Sequence, residues 1–396
     1  MTTETKGALE GIRILDFTQM MMGPFGIQIL ADLGADVIKI ERQKVGEWLR
    51  SMPMVGEFVG GDSAAFLSMN RNKRSVTANF KHPEGRKALL ELAKTCDVVT
   101  ENFRPGVMKR LGLGYEDFRE VKPDIIYVSG SGWGQDSELA KLKRPGQDLL
   151  VQAMAGVMFN TGRATDPPTP QGTPIADIVG GYSFANAVMA GVLARNQHGI
   201  GQWVEVDLYS SLLASMCQEL FTIMNQDVDL TRSQAGLAST WNDAPYGVYP
   251  TQDGWVAIAM IPLDKLGILV GDPTLGDLDA WVERDKVKWQ LEEATKKKDT
   301  AEWMTIFVEA DVWAAPVRTP EEAMQELQDM NSDLLVKMDH PKGGLITAIG
   351  CPIKMGETPA TLRYVPPQVG EHTAEIFQEV LGEEKAQALL DEGVIG

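Results

Sequence analysis

Asp177 is the acid in this sequence best placed to do chemistry. It stands between the apolar TPIA and the glycine-rich IVGGYSF, where loss of water would raise both its pKa and its nucleophilicity. The same position, just ahead of a helical pattern expected from about Ile178, also suits an N-cap, and a carboxylate can cap at rest and react when substrate arrives. Local sequence leaves both roles open. Partners for other chemistries are missing. His82, His198, His340 and His372 each lie beside Gly, Pro or Glu in loop-like sequence, and none is paired at metal-ligand spacing. They read as solvated loop residues, which gives a zinc site or a Ser-His-Asp triad no support. Cys96, Cys217 and Cys351 are far apart and leave one over if two were bridged, so a reducing compartment and no metal are expected.

A second kind of chemistry is electrostatic. The 396 residues carry 37 Lys+Arg against 55 Asp+Glu, a formal charge of −18, so most of the surface would repel nucleic acid. Against that background basic residues gather along the first 145 positions: Arg42, Lys73 and Arg74, Lys81, Arg104, Lys109 and Arg110, then Lys141, Lys143 and Arg144. Such a local excess can focus a phosphorylated ligand, although a solvated face has the same composition. Glu41 ends a strand where a ribose-binding acid would stand, but the preceding loop, TQMMMGP, holds one glycine and no GxGxxG, so a nicotinamide cofactor is not expected. GSGWGQ (130–135) reads as a turn with an option on ligand contact.

The elements that would position these residues follow an α/β pattern. IRILDF (12–17) reads as a buried strand, PFGIQILADL as a helix stopped by Gly34, and ADVIKIE as a second strand. GRKALLELAKT (helix) and DVVTENF (strand) repeat the unit, followed by a short helix near 105–119 and the strand PDIIYVSG. A parallel sheet covered by helices is expected. Helices are then expected over 147–162 and from about Ile178, followed by the strand WVEVDL and the helix SSLLASMCQELFTIMNQ. Near Asn242 the character changes: PYGVYPTQDGWVAIAM has two strand-like runs joined by a turn, which marks a smaller second domain. Residues 276–312 read as helical, WAAPVRT as a strand and PEEAMQELQDM as a helix; a proline-bearing tail ends in the helix HTAEIFQEVLG. The N-terminus, MTTETKGALEG, is polar, and the uncharged run Ile178–Ala194 is short and carries Ser183 and Asn186. A cytoplasmic protein without a membrane span is expected.

Taken in order, several of these strings resemble the family III CoA-transferases, the group of formyl-CoA and carnitine CoA-transferases. They are LEGIRILDFTQMMMGPFGIQILADLGADVIKIER, NRNKRSV, TENFRPGVMKRLGLGYE, QAMAGVMFNTG, IADIVGGYSFANAVMAGVLARNQHGIGQWVEVDL, YGVYPTQDGWVAIA and PATLRYVPPQVGEHTAEIFQEVLG. The resemblance implies a Rossmann-like large domain with a parallel sheet, a smaller inserted α+β domain and an interlocked homodimer. Here 1–210 would be the first part of the large CoA-binding domain, 211–241 a linker helix, 242–319 the small domain and 320–396 the C-terminal part of the large one.

The implied activity is that of an acyl-CoA:carboxylate CoA-transferase, with Asp177 as nucleophile forming a mixed anhydride and then an aspartyl-CoA thioester. Implied contacts to coenzyme A are Gln19, Met20, Met21, Met22, Arg42, Lys81, Asn102, Phe103 and Arg110, with a further lysine at Lys143 or Lys141. Arg42, Lys81 and Arg110 would meet phosphates, and the Met run and Phe103 would offer soft apolar surface to adenine and pantetheine. Two departures bear on the reaction. The fold also houses α-methylacyl-CoA racemases, which use a His just before an Asp; the matching pair here is Gln147–Asp148, so transfer is preferred over the alternative of a racemase or other acyl-CoA isomerase. The glycine-rich loop of formyl-CoA transferase has no counterpart, only QAGLASTWNDAP, so oxalate and formate are not implied as substrates.

Overall fold

The computed structural model describes residues 6–53, 56–228 and 230–396; the polar N-terminal stretch read above falls partly on residues 1–5, outside the described residues. Its contacts divide the chain into two compact units. The first comprises Met1–Val151, Pro174–Ser215 and Asn331–Gly396, the second Gln152–Thr173 and Met216–Met330.

In the first unit six strands form one sheet: β1 (Arg13–Asp16), β2 (Asp36–Glu41), β3 (Lys73–Thr77), β4 (Val98–Glu101), β5 (Ile126–Ser131) and β6 (Trp203–Asp207). All pair in parallel, in the order β3-β2-β1-β4-β5-β6. This is the doubly wound arrangement, whose order reverses between β1 and β4, and ligands of such sheets bind at the carboxyl ends of the strands beside that reversal. Leu15, Ile38, Val76 and Val99 are fully buried with Leu89 and Leu92 of α2 (Pro83–Ala93) and with Ile376 and Phe377 near the C-terminus. Thus the end of the chain closes one side of the sheet: His372 N–H donates to the Ser75 carbonyl at 2.9 Å and Gly396 N–H to that of Thr77 at 3.2 Å.

The helix carrying Asp177, α4 (Ile175–His198), follows α3 (Asp148–Ala155) and packs extensively on α1 (Met22–Asp32). It is long and apolar enough to cross a membrane by length and composition alone. Its small residues admit neighbouring segments at close range. A Cβ on Gly26 would lie 2.4 Å from the Gly181 carbonyl oxygen, and one on Gly181 would lie 2.6 Å from the Phe25 ring. The Gly-Gly pair of IVGGYSF therefore serves helix-to-helix approach.

The second unit has an antiparallel sheet of β7 (Gly247–Pro250), β8 (Trp255–Ile258) and β9 (Ala314–Pro316), in the order β9-β8-β7, over a core that includes Tyr249, Leu291, Trp303 and Phe307. The two-strand-and-turn pattern near Asn242 forms β7 and β8. The division by contacts places 152–173 and 216–241 with this unit, where the sequence reading puts them in the large domain and a linker helix. Within the unit Ala164 N–H donates to the Ser233 carbonyl and Arg232 reaches the Asp166 and Pro167 carbonyls, which ties those two segments together.

Several expected elements differ. The helix expected over 147–162 ends at Ala155 because Gly156 takes the left-handed conformation (φ 84°), and the helix near 105–119 is split at Gly112 (φ 68°) into Val107–Leu111 and Tyr115–Val121. The stretch 211–225 is two helices, Leu208–Ser215 and Cys217–Asn225. In the tail, β10 (Leu335–His340) and β11 (Gly344–Ile349) form a hairpin, and a helix at Glu383–Asp391 follows Thr373–Leu381. His340 is buried in that hairpin, its Nδ1 accepting from Gly343 N–H at 2.9 Å, and is not the solvated loop residue expected.

Candidate active site

Three carboxyl-edge loops of the first unit meet around a cavity of about 930 Å³. The first leaves β1 and presents Gln19, Met20, Met21 and Met22. The second leaves β4 with Asn102, Phe103, Arg104 and Arg110. The third follows β5 through Gly132, Trp133 and Gly134, and the wall is completed by Lys143, Arg144, Gln147 and Asp177. The cavity therefore opens at the β1/β4 reversal, where the sheet order puts ligand sites.

The β1 loop is held from both sides. Asn102 accepts from Gln19 N–H at 2.8 Å and donates to the Gln19 carbonyl at 2.7 Å, which pins the loop to the end of β4. Met20 has φ 65°, a conformation uncommon for a residue with a side chain, and its N–H donates to Glu47 at 2.5 Å. Lys39, fully buried, pairs with the same Glu47 at 2.6 Å and donates to the Thr18 carbonyl at 2.8 Å. Asp16 lies beneath, accepting from the Thr18 and Thr100 hydroxyls and lying 3.4 Å from Lys73. Burial alone would raise the Asp16 pKa; Lys73 and Lys39 override it and hold the carboxyl below its ordinary value, while Lys73 itself is brought down to about 8, chiefly by burial.

The β4 loop rests on Glu101, which accepts from Phe103 N–H at 2.8 Å; burial pushes this carboxyl up to about 8. In the third loop a Cβ on Gly132 would lie 2.3 Å from the Gly146 Cα, so these two glycines let the backbone segments touch.

Asp177 is not an N-cap. α4 begins at Ile175, with Pro174 before it, and Asp177 lies in its first turn. The capping acceptor is Asp148, 29 residues before Asp177, whose Oδ1 takes the Ala176 N–H at 2.7 Å and the Asp177 N–H at 3.3 Å. This leaves the Asp177 carboxyl for the cavity. Burial, reinforced by the Asp148 carboxylate, pushes its pKa up to about 7. A carboxyl whose folded pKa lies above its unfolded value makes folding less favourable as pH rises from about 4 to about 7. Asp177→Asn is therefore expected to raise the melting temperature at pH 8, with the gain fading below pH 5, as thermal melts across pH would show.

Of the site residues expected from the sequence, Gln19, Met20, Met21, Met22, Asn102, Phe103, Arg110, Lys143 and Asp177 line this one cavity, and Lys141 does not; it is exposed and 2.8 Å from Glu138. Arg42 and Lys81 are exposed, beyond the ends of β2 and β3, and do not line it. The basic cluster separates by role. Arg104, Arg110, Lys143 and Arg144 gather at the cavity, whereas Lys73 and Arg74 belong to β3 and are buried against Asp16 and Asp36. Glu41 is buried and doubly bonded to Arg50 at 2.7 and 2.8 Å, which removes it as a ribose acceptor. Trp48 also lines the cavity; nothing in GEWLR signalled this. Among the described residues no three His, Cys, Asp or Glu side chains converge as a metal site requires.

With this geometry in hand, known proteins are informative. The model of CoA-transferase family III matches residues 9–373. A succinyl-CoA:glutarate CoA-transferase from Mus musculus is 33% identical over 98% of this chain and 90% of its own length. A succinyl-CoA:mesaconate CoA-transferase from Haloarcula marismortui is 34% identical over 94% of this chain and 96% of its own. Among solved structures, a CAIB/BAIF family protein from Brucella suis superposes with a TM-score of 0.81 at 28% identity, over 95% of this chain and all of that one.

Proposed function

We propose, given that the chain belongs to CoA-transferase family III and is a CoA-transferase, that it moves CoA from an acyl-CoA donor to a carboxylic acid through covalent intermediates on Asp177. The observation that supports this reading is the Asp177 carboxylate in the wall of a cavity whose other charged lining residues are Arg104, Arg110, Lys143 and Arg144.

In the proposed sequence the Asp177 carboxylate attacks the thioester carbonyl, the C–S bond breaks, and a mixed anhydride forms beside CoA thiolate. The thiolate then attacks the aspartyl carbonyl, giving an aspartyl-CoA thioester and releasing the donor acid as its carboxylate. The acceptor carboxylate attacks the same carbonyl and expels the thiolate, which takes the new acyl group and restores Asp177. No net proton is consumed, so the sequence needs no general base; positioning and stabilisation of each oxyanion suffice. The Met20–Met22 run and Phe103 would face pantetheine and adenine, with Arg110 and Lys143 on phosphates. Arg42 and Lys81, next along the same carboxyl edge, would serve the far end of an extended ligand.

The relatives named above act on succinyl-CoA with glutarate or mesaconate, which are dicarboxylic acids, and we extend that substrate class to this chain. A cytoplasmic homodimer without a membrane span belongs to the same reading. It is supported by the family resemblance, by cysteines that are all free, and by exposed Phe221, Ile223 and Met224 on one helix.

The test is mass spectrometry of acyl-CoA thioesters mixed with C4 and C5 dicarboxylates and the protein in D2O. New thioesters without deuterium are expected. Deuterium in an unchanged thioester would instead establish α-proton exchange and the isomerase reading.

A further inference from the structure

The loop that leaves β1 is held in a conformation its own sequence disfavours. Met20 sits at φ 65°, in the left-handed region where a residue with a side chain is strained and glycine is the usual occupant. Its N–H is taken by the Glu47 carboxylate at 2.5 Å. Glu47 is itself fixed from outside the loop. Its Oε2 lies 2.6 Å from the Lys39 ammonium, and its N–H donates at 2.7 Å to Glu41, which Arg50 holds.

Neutralising Lys39 does not by itself account for Glu47. Among the described residues, the buried charges beneath the loop include the cations Lys39, Lys73 and Arg50, and Asp16, Glu41 and Asp62 already answer them one for one. Glu47 adds a further acid at 6% exposure, where a carboxylate pays a desolvation penalty. What it gains besides Lys39 is the Met20 N–H, at the rim of the cavity.

The consequence of that contact lies two residues on. Met22 begins α1, and its buried side chain fills a groove left by two glycines. A Cβ on Gly130 of β5 would lie 2.3 Å from Met22 Cε, and one on Gly180, three residues along α4 from Asp177, would lie 3.1 Å from Met22 Sδ. Gln19, Met20, Met21 and Asp177 line the same cavity. The turn at Met20 thus sets the loop against both the helix of Asp177 and the space a thioester would fill.

We propose that Glu47 is a positioning residue for CoA transfer: by holding Met20 in the left-handed conformation, it builds the β1 loop into its acyl-CoA-binding shape before the thioester arrives. This rests on the CoA-transfer reading. A site shaped in advance spends less of its binding energy on ordering the loop.

The experiment is steady-state transfer by the wild-type protein, Glu47→Gln and Glu47→Met, with succinyl-CoA and glutarate each varied in turn. Both variants remove the charge beside Lys39, and only glutamine keeps an acceptor for the Met20 N–H. Glu47→Met is expected to lower kcat/KM for succinyl-CoA about tenfold, the scale of a lost hydrogen bond to a charged group, and Glu47→Gln by less than about threefold. The value for glutarate is expected to hold, because CoA is already in place when the acceptor enters. A merely structural loss would lower both values together. A second pair reads the loop itself and decides the matter if the Glu47 variants fold poorly. Asparagine adopts the left-handed conformation far more readily than a β-branched residue, so Met20→Asn is expected to keep a higher kcat/KM for succinyl-CoA than Met20→Val. An apolar contact alone would give the reverse order. Equal values for the two Glu47 variants, parallel falls for both substrates, or Met20→Val matching or exceeding Met20→Asn would overturn the proposal while leaving CoA transfer intact. A wild-type protein that transfers no CoA would overturn both.

Discussion

Asp177→Ala is expected to lower kcat for CoA transfer by at least about 10⁴-fold, the scale seen when a covalent nucleophile is deleted. The proposed route runs entirely through bonds made and broken at this carboxylate, and among the described residues no second acid lines the cavity to take its place. Binding of acyl-CoA should survive, because the β1 and β4 loops, pinned by Asn102, Glu47 and Glu101, are independent of Asp177. Direct titration of the variant with acyl-CoA, beside its transfer rate, separates the two effects. The isosteric Asp177→Asn should lose the same activity. Since the ionised carboxylate attacks, kcat/KM of the unmodified protein should climb as pH rises to about 7 and level off above it. A pH profile flat from 5 to 9 would argue against Asp177 as the titrating nucleophile.

The second large effect concerns stability. Asp16→Ala is expected to cost about 3–5 kcal/mol, the range for removing one partner of a buried ion pair and leaving the other charge uncompensated. Asp16 is fully buried, accepts from the Thr18 backbone and hydroxyl at 2.9 and 2.6 Å, and faces Lys73, which shares its surroundings with Lys39. Urea unfolding at pH 7 should show a clearly lower midpoint. Because the folded-state pKa of Asp16 is held below its unfolded value, its contribution is present above about pH 4 and is lost as pH falls through the folded pKa. The difference between variant and wild type should therefore shrink in acid. A variant as stable as the wild type at pH 7 would mean that Lys73 and Lys39 need no counter-charge there.

The same buried charges explain where sequence reading stopped. The βαβ alternation was legible from IRILDF to PDIIYVSG because apolar runs bounded by Gly and polar turns carry that signal locally. β3 was not, since Lys-Arg-Ser-Val-Thr looks like a solvated basic patch until Asp16 and Asp36, distant in sequence, neutralise it. For Asp177 the residue type and the apolar surroundings were readable, but the start of its helix was not, because the group that satisfies the helix N-terminus is Asp148 from another element. His340 misled in the same way: Asp-His-Pro-Lys-Gly reads as an exposed turn, and only the hairpin buries the ring. The cavity residues themselves were reached through the family resemblance, whose motifs group at strand ends, while Trp48 and the Gly132–Gly146 contact carried no local signal.

The most direct test of the central claim is to mix the protein with succinyl-CoA, without acceptor, quench in acid and map peptides by mass spectrometry. The peptide holding Asp177 is expected to gain the mass of CoA less one water, with succinate released in equal amount, and addition of glutarate before the quench should discharge it. Efficient transfer with no adduct on that peptide at any time of quenching, or an adduct on another residue that turns over with glutarate, would contradict the account.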